Sequence, residues 1–193
     1  MSFTGLILPG GGARGAYQVG VLKAIAEMAG EAAPNPFPVI CGTSAGAINA
    51  AVLASHAHEF AIGVERMERF WASMHCDRVY RTDPGAVLKS GFQWALSLAL
   101  GGRGVHHPKS LLDNRPLKQF LDRSLQLEGI RTAIDRGALR GLGITASGYS
   151  CAAAISFFQA AADIEPWDRA RRHGVRSDIG VSHLLASAAL PLL

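Results

Sequence analysis

Five residues, Gly42-Thr43-Ser44-Ala45-Gly46, hold the clearest chemistry in this sequence. They lie between a short apolar run at residues 39–41 and an alanine-rich stretch at residues 47–57, the setting of a nucleophile displayed on a sharp strand-to-helix turn. Such a turn strains the backbone of the central serine and brings its surroundings very close. Neighbours two residues away must therefore be small, and Gly42 and Gly46 meet that demand. A serine at a helix start also faces free backbone N–H groups and the positive end of the helix dipole, which favour a developing oxyanion. Read alone, the same five residues equally describe an ordinary serine N-cap.

A second cluster, Gly10-Gly11-Gly12-Ala13-Arg14-Gly15, follows an apolar run at residues 3–8. It opens a segment with Val19, Val21, Leu22, Ile25 and Met28 close to helical spacing. Consecutive glycines let the backbone approach a substrate and aim successive N–H groups at one point, as a tetrahedral acyl intermediate requires. Gly10, Gly11 and Gly12 are thus the candidate oxyanion hole for Ser44, with both turns at one end of the sheet. Arg14 either steadies this loop or attracts an anionic head group; its plain alternative is a surface cation. Gly10, Gly12 and Gly15 also satisfy the spacing of dinucleotide-binding folds. That reading lacks its acidic residue, because the second strand runs into Cys41-Gly42-Thr43-Ser44. A P-loop is excluded because no Gly-Lys-Ser/Thr follows the glycines.

A serine nucleophile needs a base, yet none of the seven histidines stands out. His56 and His58 follow the serine by about three helical turns; His75, His106 and His107 fall in the middle of the chain, and His173 and His183 flank a late helix. Each reads as a surface or helix-end histidine.

The elements that must position these residues read as strand, glycine turn, helix, then strand, sharp turn, helix. Two such units in succession predict a parallel sheet with helices on its faces. Residues 59–127 read as mainly helical, with a helix over 116–125. Residues 142–147 and 152–158 read as a pair of strands, and residues 181–190 as a short helix stopped by Pro191. The 193 residues, 49% hydrophobic and 18% charged, suit one globular domain.

Three distant cysteines, Cys41, Cys76 and Cys151, form no zinc knuckle or redox pair, which points to a reducing, cytoplasmic setting. The first eight residues lack the basic start of a signal peptide. The apolar stretch at residues 91–100, with Trp94 and Leu98, is far short of the ~20 residues of a membrane span and reads as a core helix or a membrane-docking lid. The net charge of +4 gathers partly in residues 169–176 beside Trp167, read as a solvated helix face with no nucleic-acid role. Any membrane contact is expected to be peripheral.

Taken together, residues 10–15, residues 42–50 and Ala186-Ser187-Ala188-Ala189-Leu190-Pro191 resemble the patatin-like phospholipase family. Ser110-Leu111-Leu112-Asp113-Asn114 followed by Pro116-Leu117 also resembles a segment of bacterial members. The resemblance implies a three-layer α/β/α domain with a mostly parallel central sheet, a lipid acyl hydrolase, and no metal or cofactor. It further implies a Ser-Asp dyad in which an aspartate acts on the serine directly. In the family that aspartate lies in an Asp-Gly pair shortly after the Ala-Ser-Ala-Ala-x-Pro segment, and no Asp-Gly pair occurs in this sequence. Asp178 precedes the segment and does not match the position. The expectation is a single patatin-like domain lacking its C-terminal part, with half a dyad and poor activity by itself. The competing functions are a lipid-binding module without turnover and a dinucleotide-binding oxidoreductase.

Overall fold

A computed structural model describes residues 4–75 and 115–189. The chain divides into two compact units. One runs to Ala72 and resumes from Leu125 to Ala189; the described part of the other is residues 73–75 and 115–124.

In the larger unit, β1 (Gly5–Leu8) leads through a 3-10 turn (Gly12–Arg14) into α1 (Gly15–Ala29). Then β2 (Val39–Gly42) leads into α2 (Ala45–Ser55), followed by α3 (Phe60–Ala72). In the smaller unit, α4 (Arg115–Ser124) is amphipathic, burying Leu117 and Leu121 and pairing Lys118 with Asp122 on its exposed side. The larger unit resumes with α5 (Gly129–Asp135), β3 (Gly141–Gly148), β4 (Ala153–Ala160), β5 (Trp167–Arg169), β6 (Arg172–Arg176) and α6 (Val181–Ala188).

The six strands form one mixed sheet in the order β1-β2-β3-β4-β6-β5. The first three are mutually parallel, with Leu8 beside Gly42 and Gly42 beside Ile144. β4 and β5 each join a neighbour antiparallel, and β4 runs parallel to β6. Helices and sheet together make the three-layer α/β/α class expected, with antiparallel junctions at β3–β4 and β5–β6. Because β1 and β2 are parallel neighbours, their C-terminal ends share one edge, and the two glycine turns emerge side by side.

The core gathers around α2, every residue of which is buried. Its composition explains this: alanines present little bulk, so strands and helices pack close on all sides, while Ile48, Val52 and Leu53 supply apolar area. Ile40, Leu142 and Ile144 line the sheet beneath, all essentially inaccessible to solvent. Gly129 opens α5 where a Cβ would lie 2.2 Å from the carbonyl oxygen of Ser55, so the short helix can sit against the end of α2 only with glycine there.

Residues 169–176 correct the sequence reading. They form a hairpin, not a helix face: Trp167 pairs with Gly174 and Arg169 with Arg172. Trp167 lies flat against the sheet, its ring 5.1 Å from that of Phe158, and a Cβ on Gly174 would fall 2.1 Å from the indole. The Arg176 side chain donates to the carbonyl oxygens of Ala160, Ala161 and Ile164. The stretch at residues 91–100, with His106, His107 and residues 110–114, lies outside the described residues.

Candidate functional site

Ser44 stands at the junction of β2 and α2 with φ 55° and ψ −124°, a left-handed backbone conformation that L-residues adopt at a cost on the order of 1–3 kcal/mol. The surroundings hold it there. The Thr43 amide donates to the Leu8 carbonyl oxygen at 3.1 Å, and the Gly46 amide to that of Thr43 at 3.0 Å. A Cβ on Gly46 would lie 2.0 Å from the Leu8 oxygen, and one on Gly42 2.3 Å from the Gly46 oxygen. Both glycines are therefore required by close backbone approach.

The glycine loop lies against this turn. A Cβ built on Gly10 would be 3.1 Å from Ser44 Cβ and 3.8 Å from Ser44 Oγ, so a side chain there would touch the nucleophile and the loop runs beside the turn. Gly12 has φ 56° with no neighbour within 4 Å of a Cβ position, so here conformation and not space selects glycine. The 3-10 turn spends the Arg14 amide on the Gly11 carbonyl oxygen. Among the described residues the amides of Gly11 and Gly12 have no protein acceptor. Gly15 is a packing residue: a Cβ there would meet Trp71 Cζ2 at 2.6 Å. Arg14 is exposed and makes no ion pair among the described residues.

Two polar side chains that sequence reasoning did not single out tie the turns together. Asn49, 0% exposed, donates to the Gly15 carbonyl oxygen (3.0 Å) and to Gln18 Oε1 (2.9 Å), and accepts from Trp71 Nε1 (2.7 Å). Gln18 in turn donates to the Pro9 carbonyl oxygen at 2.8 Å. Ser187 of α6 accepts the Ser44 amide at 2.8 Å and donates to the Thr145 carbonyl oxygen at 2.6 Å. The Ser44 amide is thus not one of the free donors expected at the helix start. The signal for Asn49 was present: a polar residue inside an otherwise apolar, alanine-rich helix must find partners if buried.

The titratable groups fall elsewhere. Among the described residues no side chain hydrogen-bonds to Ser44 Oγ. His183 Nδ1 accepts the Gly180 amide at the start of α6 and its ring packs on Phe157; His173 pairs with Asp168 on the hairpin. His56 Nδ1 lies 3.2 Å from both Ser55 Oγ and the Val52 carbonyl oxygen, and His58 faces Glu59. Asp178 pairs with Arg131 of α5. Cys41, just before the turn, is half-buried, and burial pushes its thiol pKa up. No group of three metal-ligating side chains and no helix long and apolar enough to cross a membrane occurs among the described residues.

The family model described as patatin-like phospholipase matches residues 6–193. A curated relative, lysophospholipase nte1 of Aspergillus terreus (strain NIH 2624 / FGSC A1156), is 53% identical over 53 residues. That stretch is 28% of this chain and 3% of the relative, so the chain corresponds to a small part of that protein. No solved structure matches.

Proposed function

The chain belongs to the patatin-like phospholipase family, whose members are lipid acyl hydrolases, and on that premise we propose that Ser44 is the nucleophile of an acyl-ester hydrolase. One observation carries the reading. A serine kept in a strained, positive-φ turn lies beside a loop whose Gly11 and Gly12 amides have no acceptor among the described residues.

In this reading Ser44 Oγ attacks the ester carbonyl carbon, and the carbonyl oxygen takes up negative charge against the Gly10, Gly11 and Gly12 amides. The alcohol leaves, an acyl-serine remains, and water releases the fatty acid. The Ser44 amide is bonded to Ser187 and is not one of these oxyanion donors. Arg14, exposed beside the loop, supplies positive charge for an anionic head group. The proton acceptor is the dyad aspartate of the family, a carboxylate that this stretch of sequence does not carry in its Asp-Gly setting. In this reading the 193 residues by themselves hydrolyse p-nitrophenyl esters very slowly, while the oxyanion donors, which by themselves keep on the order of a 1,000-fold enhancement when the base is missing, still sustain slow covalent labelling of Ser44.

A second reading, a lipid-binding module without turnover, draws on the absence of a hydrogen-bond partner for Ser44 Oγ among the described residues. Reaction with a fluorophosphonate probe separates the two. The hydrolase reading expects covalent labelling at Ser44, located by peptide mass, and its loss in Ser44→Ala. An unlabelled wild-type chain that still binds lipid vesicles would establish the binding module instead.

A further inference from the structure

We propose that Ser187 is a positioning residue for Ser44, a lock on its backbone amide that both maintains the strained turn and keeps that amide out of the oxyanion site. The inference rests on the nucleophile reading above and deepens it.

The Ser44 amide, at the start of α2, has no backbone acceptor among the described residues, whereas the Thr43 and Gly46 amides on either side bind the Leu8 and Thr43 carbonyl oxygens. Ser187 Oγ meets it at 2.8 Å from 143 residues further along the chain. A hydroxyl has one proton, and that proton is committed to the Thr145 carbonyl oxygen at 2.6 Å. The rotor is therefore fixed, with a lone pair facing Ser44. At 9% exposure, the group leaves little room for water to substitute. The turn is thus braced between β3 and α6, two elements not involved in forming it. Ser187 acts through Ser44 and is not itself a catalytic residue.

This makes a division of labour among amides. Where a nucleophile's own N–H helps to bind the oxyanion, the reacting serine must move with its donor; here that N–H is held by a side chain, and the glycine loop is left to do the binding. Loss of the lock lets the turn relax toward ordinary backbone angles and carries Oγ away from the attack position. The rate of bond formation suffers, and the affinity for an acyl ligand does not.

The test uses the full 193-residue chain with Ser187→Ala, the near-isosteric weak acceptor Ser187→Cys, and Ser187→Thr, which keeps the hydroxyl. Hydrogen exchange at the Ser44 amide, followed by NMR, is expected to accelerate at least ~10-fold in the alanine and cysteine variants while β3 amides stay protected. The maximal rate of fluorophosphonate labelling should fall by a similar ~10-fold without a change in half-saturating concentration, and Ser187→Thr should restore both to within about threefold. Unchanged Ser44 exchange in folded Ser187→Ala or Ser187→Cys, or faster exchange with an undiminished labelling rate, overturns the proposal. A wild-type chain that does not label at all sinks the nucleophile reading, and the exchange comparison then still decides whether Ser187 holds the turn.

Discussion

The serine turn and the glycine loop lie in contact yet are built on opposite principles. Around Ser44 there is no spare space: hypothetical Cβ atoms at Gly42 and Gly46 fall 2.3 and 2.0 Å from carbonyl oxygens. Around Gly12 there is only space, with no atom within 4 Å of a Cβ. The turn uses the Thr43, Ser44 and Gly46 amides inside the protein; the loop leaves the Gly11 and Gly12 amides, among the described residues, for a guest. The contrast suggests that the reacting atom is fixed by packing, while the charge-binding half stays open to an acyl group. Such preorganisation of a nucleophile is worth much in rate, because misplacement by about 1 Å costs on the order of 100-fold.

The contrast is broken most directly at Gly46. Gly46→Ala forces a methyl group into the Leu8 carbonyl, so α2 and β1 must part, and the expected loss is about 3 kcal/mol of stability. Thermal unfolding of the variant measures it; a midpoint within a degree or two of the wild type would mean that the turn is not clamped. Next comes the link between the two halves. Asn49→Leu removes three hydrogen bonds in a fully buried position and takes the partner from the Trp71 N–H and from Gln18 Oε1, for about 2 kcal/mol. Denaturant titration of this variant and of Asn49→Asp should rank both below the wild type.

Gly10→Ala sharpens the comparison by separating stability from reactivity. The added methyl would sit 3.1 Å from Ser44 Cβ and 3.8 Å from Ser44 Oγ, at the position an incoming ester needs. Fluorophosphonate labelling should drop by at least ~10-fold, while stability changes by only about 0.5 kcal/mol because the loop has room to shift. A variant that labels normally would place the approach path of the ester elsewhere.

What the sequence revealed follows the same division. Residues 10–15 and 42–46 were legible because glycine spacing reports backbone crowding directly, and the alternation of apolar run, glycine turn and helical spacing placed them on adjacent parallel strands. The β5–β6 hairpin was not legible. Its tight turn passes through Ala170 and Arg171, with Arg171 at φ 58°, where glycine or asparagine would ordinarily mark a reversal. Four arginines in eight residues then looked like a solvated helix face, whereas Arg176 is spent on carbonyl oxygens. α5 was hidden for a related reason: it begins with Gly129, a poor helix former that its contact with Ser55 requires. Ser187 was visible only as part of a motif. No local pattern shows that a hydroxyl will reach an amide 143 residues away.

The smallest expected effects test the two halves at a matched backbone angle. Gly12 has φ 56° and Ser44 φ 55°, so a positive φ is carried by a glycine in one half and by a side-chain-bearing residue in the other. Gly12→Ala adds strain without a clash, and the stability should fall by about 1 kcal/mol. At position 44 the sign reverses. Ser44→Ala keeps the Cβ and its strain; Ser44→Gly removes both, at some loss of unfolded-state restriction, for a net gain over Ser44→Ala of about 1 kcal/mol. Comparing Ser44→Ala with Ser44→Gly removes the hydroxyl from both arms, so the difference isolates the backbone. If Ser44→Gly unfolds no later than Ser44→Ala, the turn stores no strain, and what distinguishes it from the glycine loop is its packing alone.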